Sequence, residues 1–548
     1  MIAMRLITIV AFLGLALPSW AQDTVYKYWV ELTDKAGCAY TLQQPEAYLS
    51  ARALERRARQ QIAVDSLDLP VSEVYLNRFR QAGFIVQNRS KWLNGVTLFA
   101  ASDTQAAILD TLPFVKDYRL YDRGPRKAPN VKVPRRGEEV EPVPFDTPFS
   151  QGYYAYAYDA IAQLGGIPLH RSGYRGEGML IGVCDGGFPG VDSVPFFDSL
   201  RAEGRLVATR DFVWDDNNLY NIHMHGTLVL STMAANVPGQ FVGTAPKASY
   251  VLCRTESTLS ETPLEEYNWV AAAEYLDSLG ADIVTTSLGY FSFDDSTLNH
   301  TNDDLDGRTV DMSRAADIAV SRGMLVLNAA GNEGDADSPH LNIPADAARV
   351  LTVGACNLDG EVCDFSSYGP TADLRVKPDV LAQGYKVSCI TSAGLVNHVS
   401  GTSLACPLMA GMMACLWQRY PDLSPGQLCD SVRSWGSLTE SVDNRGGYGI
   451  PDFGRAVGTP RPVGIRQEAG VAFLLFPNPT HDQVWCVLDD VEVPEAVVSI
   501  IDAWGREVLR QSIRATVTVL PLSAQHPGCY WVRLLTSRGV STRKLLLQ

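Results

Sequence analysis

Past its first 22 residues the 548-residue chain has no apolar run near the roughly 18 residues that a bilayer crossing needs, so no integral membrane segment is expected. It also lacks a basic excess: 46 Lys and Arg stand against 61 Asp and Glu, a formal charge of −15, which argues against nucleic acid as a partner. Carboxylates, histidines and cysteines show no metal-ligand spacing; no metal-binding residue is named, and structural calcium stays open. The cysteines, eleven in all, are an odd number, so at least one has no partner within the chain. Two pairings are offered: Cys356 with Cys363, close enough in sequence to staple a loop, and Cys486 with Cys529, which could join two strands of the last domain. Cys184 and Cys406 read as small core residues, because neither has a histidine nearby in sequence. A hydrophobic content of 46% is ordinary for a globular chain.

What is present is concentrated between Val399 and Cys415. There Gly401 and Thr402 precede Ser403 and a long apolar helix, which sets the Ser403 hydroxyl at the positive end of the helix. Alone, such a serine is read as a cap. A nucleophile needs a base and a carboxylate that orients the base, and both can lie far away in sequence. The run Met179 to Cys184 reads as a buried parallel strand ending in Asp185, Gly186 and Gly187, the edge where open α/β sheets carry their ligands. His225, with Gly226 and Thr227, opens a second apolar helix. His223 competes for the same role, and His225 is preferred because it stands at the first helical turn.

These blocks, in the order aspartate, histidine, serine, resemble the subtilases, the subtilisin-like serine proteases, over roughly Ser150 to Gly458. The Gly401, Thr402, Ser403 block with Ala405 and Pro407 carries most of the likeness. Gly186 departs from the Thr or Ser usual after the aspartate, and Cys406 stands where alanine is common. The resemblance implies Asp185, His225 and Ser403 as the triad. It implies Asn332, in Ala330 to Gly334, as an oxyanion donor beside the Ser403 N–H. It further implies that Ser287, Leu288 and Gly289 pair main chain to main chain with an extended substrate. Tyr290 replaces a common glycine and is expected to narrow the subsites before the scissile bond; Glu333 hints weakly at a basic preference in the primary pocket. This chemistry requires no cofactor.

Strands expected at Met179 to Cys184, Ser249 to Cys253, Asp282 to Ser287, Met324 to Ala329 and Val350 to Ala355 alternate with helices at Leu228 to Ala235, Leu264 to Leu279 and Met312 to Arg322. Two more helices, Ser403 to Arg419 and Ser424 to Trp435, follow. The fold class is therefore α/β, a subtilisin-like parallel sheet with helices on both faces. Residues 1–21 read as a signal peptide, with Arg5, the apolar run Leu6 to Leu17 and a cut after Ala21. Residues 22–121 form a small α+β region whose β-α-β-β-α-β order, leaving out a charged stretch from Pro45 to Gln61, resembles a subtilase propeptide. Residues 122–150, with six prolines and the pairs Arg126, Lys127 and Arg135, Arg136, read as a processing linker before the peptidase domain at 151–460. Residues 461–548 read as a small β-sandwich, and the Phe476 to Pro479 opening with the basic, leucine-rich end resembles the sorting domain of type IX secretion.

The expected function is a secreted serine endopeptidase, exported and either released or attached at the cell surface. Its expected partners are protein or peptide substrates, its own propeptide as inhibitor, and the secretion machinery through the C-terminal domain. The alternative is a catalytically inactive subtilase-like surface or binding protein, which the altered aspartate block favours. A serine esterase predicts a Gly-x-Ser-x-Gly elbow, and Ala405 occupies its final glycine position.

Overall fold

An unbroken apolar run becomes a strand buried on both faces. Leu180–Asp185 is buried at every residue, and its period-two alternation divides it between two cores. Ile181 and Val183 face the core built from the helices His225–Ala234 and Thr402–Arg419, while Leu180 and Cys184 face the one built from Leu264–Leu279 and Asp311–Ser321. Chain and core are seen in a computed structural model, which describes residues 24–125, 137–145, 147–214, 218–458, 473–488, 496–502, 506–513, 515, 517–536 and 539–548. The expected signal peptide and the two basic pairs of the linker lie outside the described residues.

Seven parallel strands make the central sheet, in the order Val380–Gln383, Leu351–Cys356, Leu325–Ala329, Ile283–Thr286, Leu180–Asp185, Ser249–Arg254, Leu206–Asp211. Two of them were not expected. Leu206–Asp211 is an edge strand, mostly half-buried and without a continuous apolar run, and Val380–Gln383 has only four residues. The chain runs from Leu180–Asp185 out to one edge, returns beside it, then crosses to the other side at Ile283–Thr286. That reversal opens a crevice at the carboxyl ends of the strands.

The helix Leu264–Leu279 is buried almost all round, polar residues included: Glu265, Glu266, Asn268, Glu274 and Asp277 are all shut away from water. One face lies on the sheet, where a Cβ on Gly182 would come 2.4 Å from Leu276, so the missing side chain sets how closely helix and strand approach. The other face is covered by the N-terminal region. That region is an antiparallel sheet in the order Ile85–Ser90, Gly95–Ala100, Thr24–Leu32, Val115–Pro125. The helix Glu73–Gln81 and a 3-10 helix, Asp103–Thr111, complete the β-α-β-β-α-β order; the second helix had been expected as an ordinary one.

The charged stretch forms its own helix, Ala51–Arg59, opened by Ser50 accepting the Ala53 N–H. Its arginines explain the buried acids of the neighbouring helix. Arg57 donates to both oxygens of Asp277 at 2.9 Å and to both of Asp68 at 2.7 and 2.8 Å, and Lys91 donates to Asp277 at 2.8 Å. Arg56 also pairs with Asp277, and Arg52 with Asp282. Glu274 accepts the Lys91 and Trp92 N–H groups at 2.6 and 3.0 Å. Burial alone would push the Asp277 carboxyl up, but Lys91, Arg56 and Arg57 outweigh it and hold the group well below the usual carboxylate range.

Residues Pro462–Gln548 form a second unit. Phe473–Phe476, Gln483–Leu488 and Val517–Pro521 make one sheet; Glu507–Ile513, Ala496–Ile501, Gly528–Thr536 and Gly539–Leu547 make another. Val484, Cys486, Val498, Ile500, Val532 and Leu534 are in the core of this unit. Both offered cysteine pairings fail, since all eleven cysteines are thiols. Cys486 is in that core, whereas Cys529 precedes buried Tyr530 on a different sheet and its strand parity turns it outward. The Cys356 thiol donates to Gln163 Oε1 at 3.7 Å instead of meeting Cys363.

Asp277→Ala strands Arg56 and Lys91 in a buried interface and leaves Arg57 with Asp68 alone, a change that costs about 3–5 kcal/mol for a broken buried pair. Hydrogen exchange on the full chain should then speed up in Ala51–Arg59 and Ile85–Ser90. Unchanged exchange in both segments would show that the ion cluster does not hold the N-terminal region in place.

Candidate active site

Asp185 closes the central strand and is fully buried, so its oxygens need hydrogen-bond partners within the protein. It has two. The Gly186 N–H donates to Oδ1 at 2.7 Å, and His225 Nδ1 lies 2.9 Å from Oδ1 and 3.0 Å from Oδ2. A carboxylate only accepts, so the ring nitrogen facing it carries the proton and Nε2 is left as the base. Gly186 supplies through its backbone an orienting bond to the carboxylate. Burial would push the His225 imidazole pKa down; the charge and hydrogen bond of Asp185 more than offset this, and the net direction is above the ordinary 6.5. His223, the competitor, is exposed, and its Nδ1 accepts the His225 N–H at 3.3 Å.

Ser403 is half-buried in the first turn of Thr402–Arg419. Gly401 before it has φ +156, and a Cβ there would crowd the Ser403 Oγ at 2.9 Å. Among the described residues no hydrogen bond joins Ser403 Oγ to His225. Such bonds are often long before substrate arrives. Cys406, one turn on, is fully buried, and burial pushes its thiol up to about 12, which leaves it inert at neutral pH.

Asn332 is exposed at the mouth of the crevice, and its amide oxygen is fixed. Oδ1 accepts the Thr402 N–H at 2.9 Å and the Thr402 hydroxyl at 3.1 Å, which leaves the Nδ2 hydrogens for another acceptor. Thr402 in this anchoring role was not foreseen, although it stands between two residues that were. Glu333 is occupied too: its Oε2 accepts the Asn332 N–H at 2.7 Å and the Ser367 hydroxyl at 3.1 Å. Through these bonds the carboxylate steadies the Asn332 turn.

Ser287, Leu288 and Gly289 follow the strand Ile283–Thr286 at the same edge. Asn328, from the neighbouring strand, donates to the Leu288 carbonyl at 3.2 Å. Ser287 is buried, and its hydroxyl donates to the Ser403 carbonyl at 2.7 Å. Tyr290 is buried, and its hydroxyl donates at 2.8 Å to Glu256, which lies next to Gly186.

With this geometry in view, comparisons with known proteins divide the chain in three. A model described as the subtilase family matches residues 176–449, one described as a peptidase S8 propeptide domain of Bacteroidota matches 27–133, and one described as a secretion system C-terminal sorting domain matches 474–548. Subtilisin NAT of Bacillus subtilis subsp. natto is 28% identical over 276 residues, 50% of this chain and 64% of that protein. Serine protease AprX of Bacillus subtilis is 29% identical over 290 residues, 47% of this chain and 61% of that one. These alignments therefore span less than two thirds of either relative. In fold the chain is similar to the epidermin leader peptide processing serine protease of Staphylococcus aureus, with a TM-score of 0.53 and 14% identity over 81% of this chain and all of that one.

Beside the aspartate turn lies an acidic group, Glu256, Glu261 and Glu265, with carboxylate oxygens within 4.8 Å of one another; among the described residues these are the ones that could hold a cation. They also satisfy one another by sharing protons, since three carboxylates so close do not all ionise. Burial and the Glu261 charge push Glu256 up to about 8, and burial and Asp294 push Glu261 up to about 7. The folded state thus binds protons that the unfolded chain releases above the ordinary 4.5, so this group weakens the fold as pH rises from 4.5 towards 8. Glu256→Gln should raise Tm by about 2–4 °C at pH 8 and change it little at pH 5. An equal shift at both pH values would show that proton release is not the cause.

Proposed function

This chain belongs to the subtilase family, and from that premise we propose that it is a secreted serine endopeptidase working through an acyl-enzyme intermediate. The observation that carries the reading is the buried Asp185 bonded to His225 Nδ1, with Ser403 at a helix start and the Asn332 amide oriented by Thr402. In this reading His225 Nε2 takes the Ser403 proton as Oγ attacks the scissile carbonyl. Asp185 keeps the imidazole in its tautomer and stabilises its charged form. Asn332 Nδ2 and the Ser403 N–H receive the oxyanion, and His225 returns the proton to the leaving amine. Water repeats the cycle on the acyl-enzyme.

The extended substrate lies along Ser287, Leu288 and Gly289, paired through main-chain groups that read no side chain. The chemistry needs no cofactor, because each reacting group belongs to this chain. The N-terminal region serves as the propeptide, inhibiting until removed, and the match to a sorting domain supports export, with the C-terminal unit addressing the secretion machinery. Among the described residues no helix is long and apolar enough to cross a membrane. The alternative, an inactive surface or binding protein, draws on Gly186; the Gly186 N–H on Asp185 argues for the active reading.

A fluorophosphonate should label the wild-type protein at Ser403 and leave Ser403→Ala unlabelled. Full labelling of that variant, or no labelling of folded wild type, would sink the proposal. Asn332→Ala should lower kcat about 100- to 1000-fold with KM little changed. Because the base must be neutral and its pKa is raised, kcat/KM should climb with pH through a midpoint above 6.5. A midpoint below 6.5 would contradict the Asp185 assignment.

A further inference from the structure

In a helix the carbonyl of residue i accepts from the N–H of residue i+4. For Ser403 that residue is Pro407, which lies inside the helix and has no N–H to give. The carbonyl of the serine placed as nucleophile is therefore deprived of its helical donor, in a first turn that is otherwise almost wholly buried. Ser287 Oγ stands 2.7 Å from that oxygen and donates to it. A second stitch joins the same two elements, since the Cys406 thiol donates to the Thr286 carbonyl at 3.6 Å.

We propose that the Ser287 side chain is a positioning residue for the reaction, replacing the donor that Pro407 withholds and fixing the Ser403 backbone relative to the substrate edge. The inference rests on the serine hydrolase reading. It assigns the Ser287 side chain to the nucleophile, while the main chain that follows it remains with the substrate. The bond also makes the two move as one: a shift of the edge at Ser287 is passed to the Ser403 carbonyl, and so to the adjoining turn that carries Oγ. Without the bond, that carbonyl loses the donor that stands in for Pro407, and the first turn relaxes to find another.

The test is a double-mutant cycle on the full chain with three variants: Ser287→Ala, Pro407→Ala, and both together. Labelling rate by a fluorophosphonate, and kcat and KM for a peptide substrate, are measured on each. Ser287→Ala should slow labelling and kcat roughly tenfold, the cost of one lost hydrogen bond to that carbonyl, with KM unchanged. Pro407→Ala restores an N–H at position 407, so the double variant should recover to within about threefold of Pro407→Ala alone.

Three results would overturn the inference: Ser287→Ala labelled at the wild-type rate, a rise in KM with kcat unchanged, or no recovery in the double variant. If Ser287→Ala does not fold, the double variant decides. Folded and labelled near the Pro407→Ala rate, it supports the assignment; unfolded, it shows that Ser287 serves the fold and not the Ser403 carbonyl. Wild-type protein that resists labelling would instead refute the hydrolase reading beneath it.

Discussion

The register of Leu180–Asp185 between Ser249–Arg254 and Ile283–Thr286 is the constraint on which the reacting edge depends. Parallel strands in register end together, so Asp185, Glu256 and Ser287 emerge at one rim although they lie far apart in sequence. A slip of one residue would invert the faces, sending Ile181 and Val183 into the core that Leu180 and Cys184 occupy. With both faces packed, that slip is strongly opposed. The precision of the site is inherited from apolar side chains that lie away from it.

A second constraint follows from the first. Covering both faces of the sheet leaves Leu264–Leu279 exposed on its far side, and this chain covers that side with its N-terminal region instead of with solvent. Asp277 can be buried only because Arg56, Arg57 and Lys91 arrive with it, and Glu274 because the Ser90 hydroxyl and the Lys91 and Trp92 N–H groups do. Such charge pairs add little to stability beyond what an apolar contact would supply, but they reject any misplaced partner, since an unpaired buried charge costs far more than the pair gains.

Much of the α/β core is legible in sequence because its signals are local. Leu180–Asp185 reads as a buried strand from its apolar run alone, and Leu264–Leu279 has the bounds its pattern implies. Leu206–Asp211 is missed because an edge strand needs no such run. Side-chain direction is harder to read. Tyr290 gives its hydroxyl to Glu256, 34 positions earlier, a partner that no local pattern points to. Arg57 and Asp277 are 220 positions apart, and no local pattern joins them. The cysteine pairings failed for a related reason: closeness in sequence or membership of one domain says nothing about which face a thiol takes. Asn332 and Ser403 were placed by motif; the residues that hold them, Thr402 and Ser287, are seen only in three dimensions.

The arginine helix grips the sheet at the end remote from the reacting rim. Arg52 donates to the carbonyls of Gly280 and Gly178, just ahead of the strands Ile283–Thr286 and Leu180–Asp185, whose opposite ends lead to Ser287 and carry Asp185. Four to six residues at about 3.3 Å each separate the two ends. Severing the peptide after Pro125 would leave every one of those contacts standing. Scission and departure are thus distinct events, and a clipped chain would keep its N-terminal partner aboard until that partner was itself dismantled.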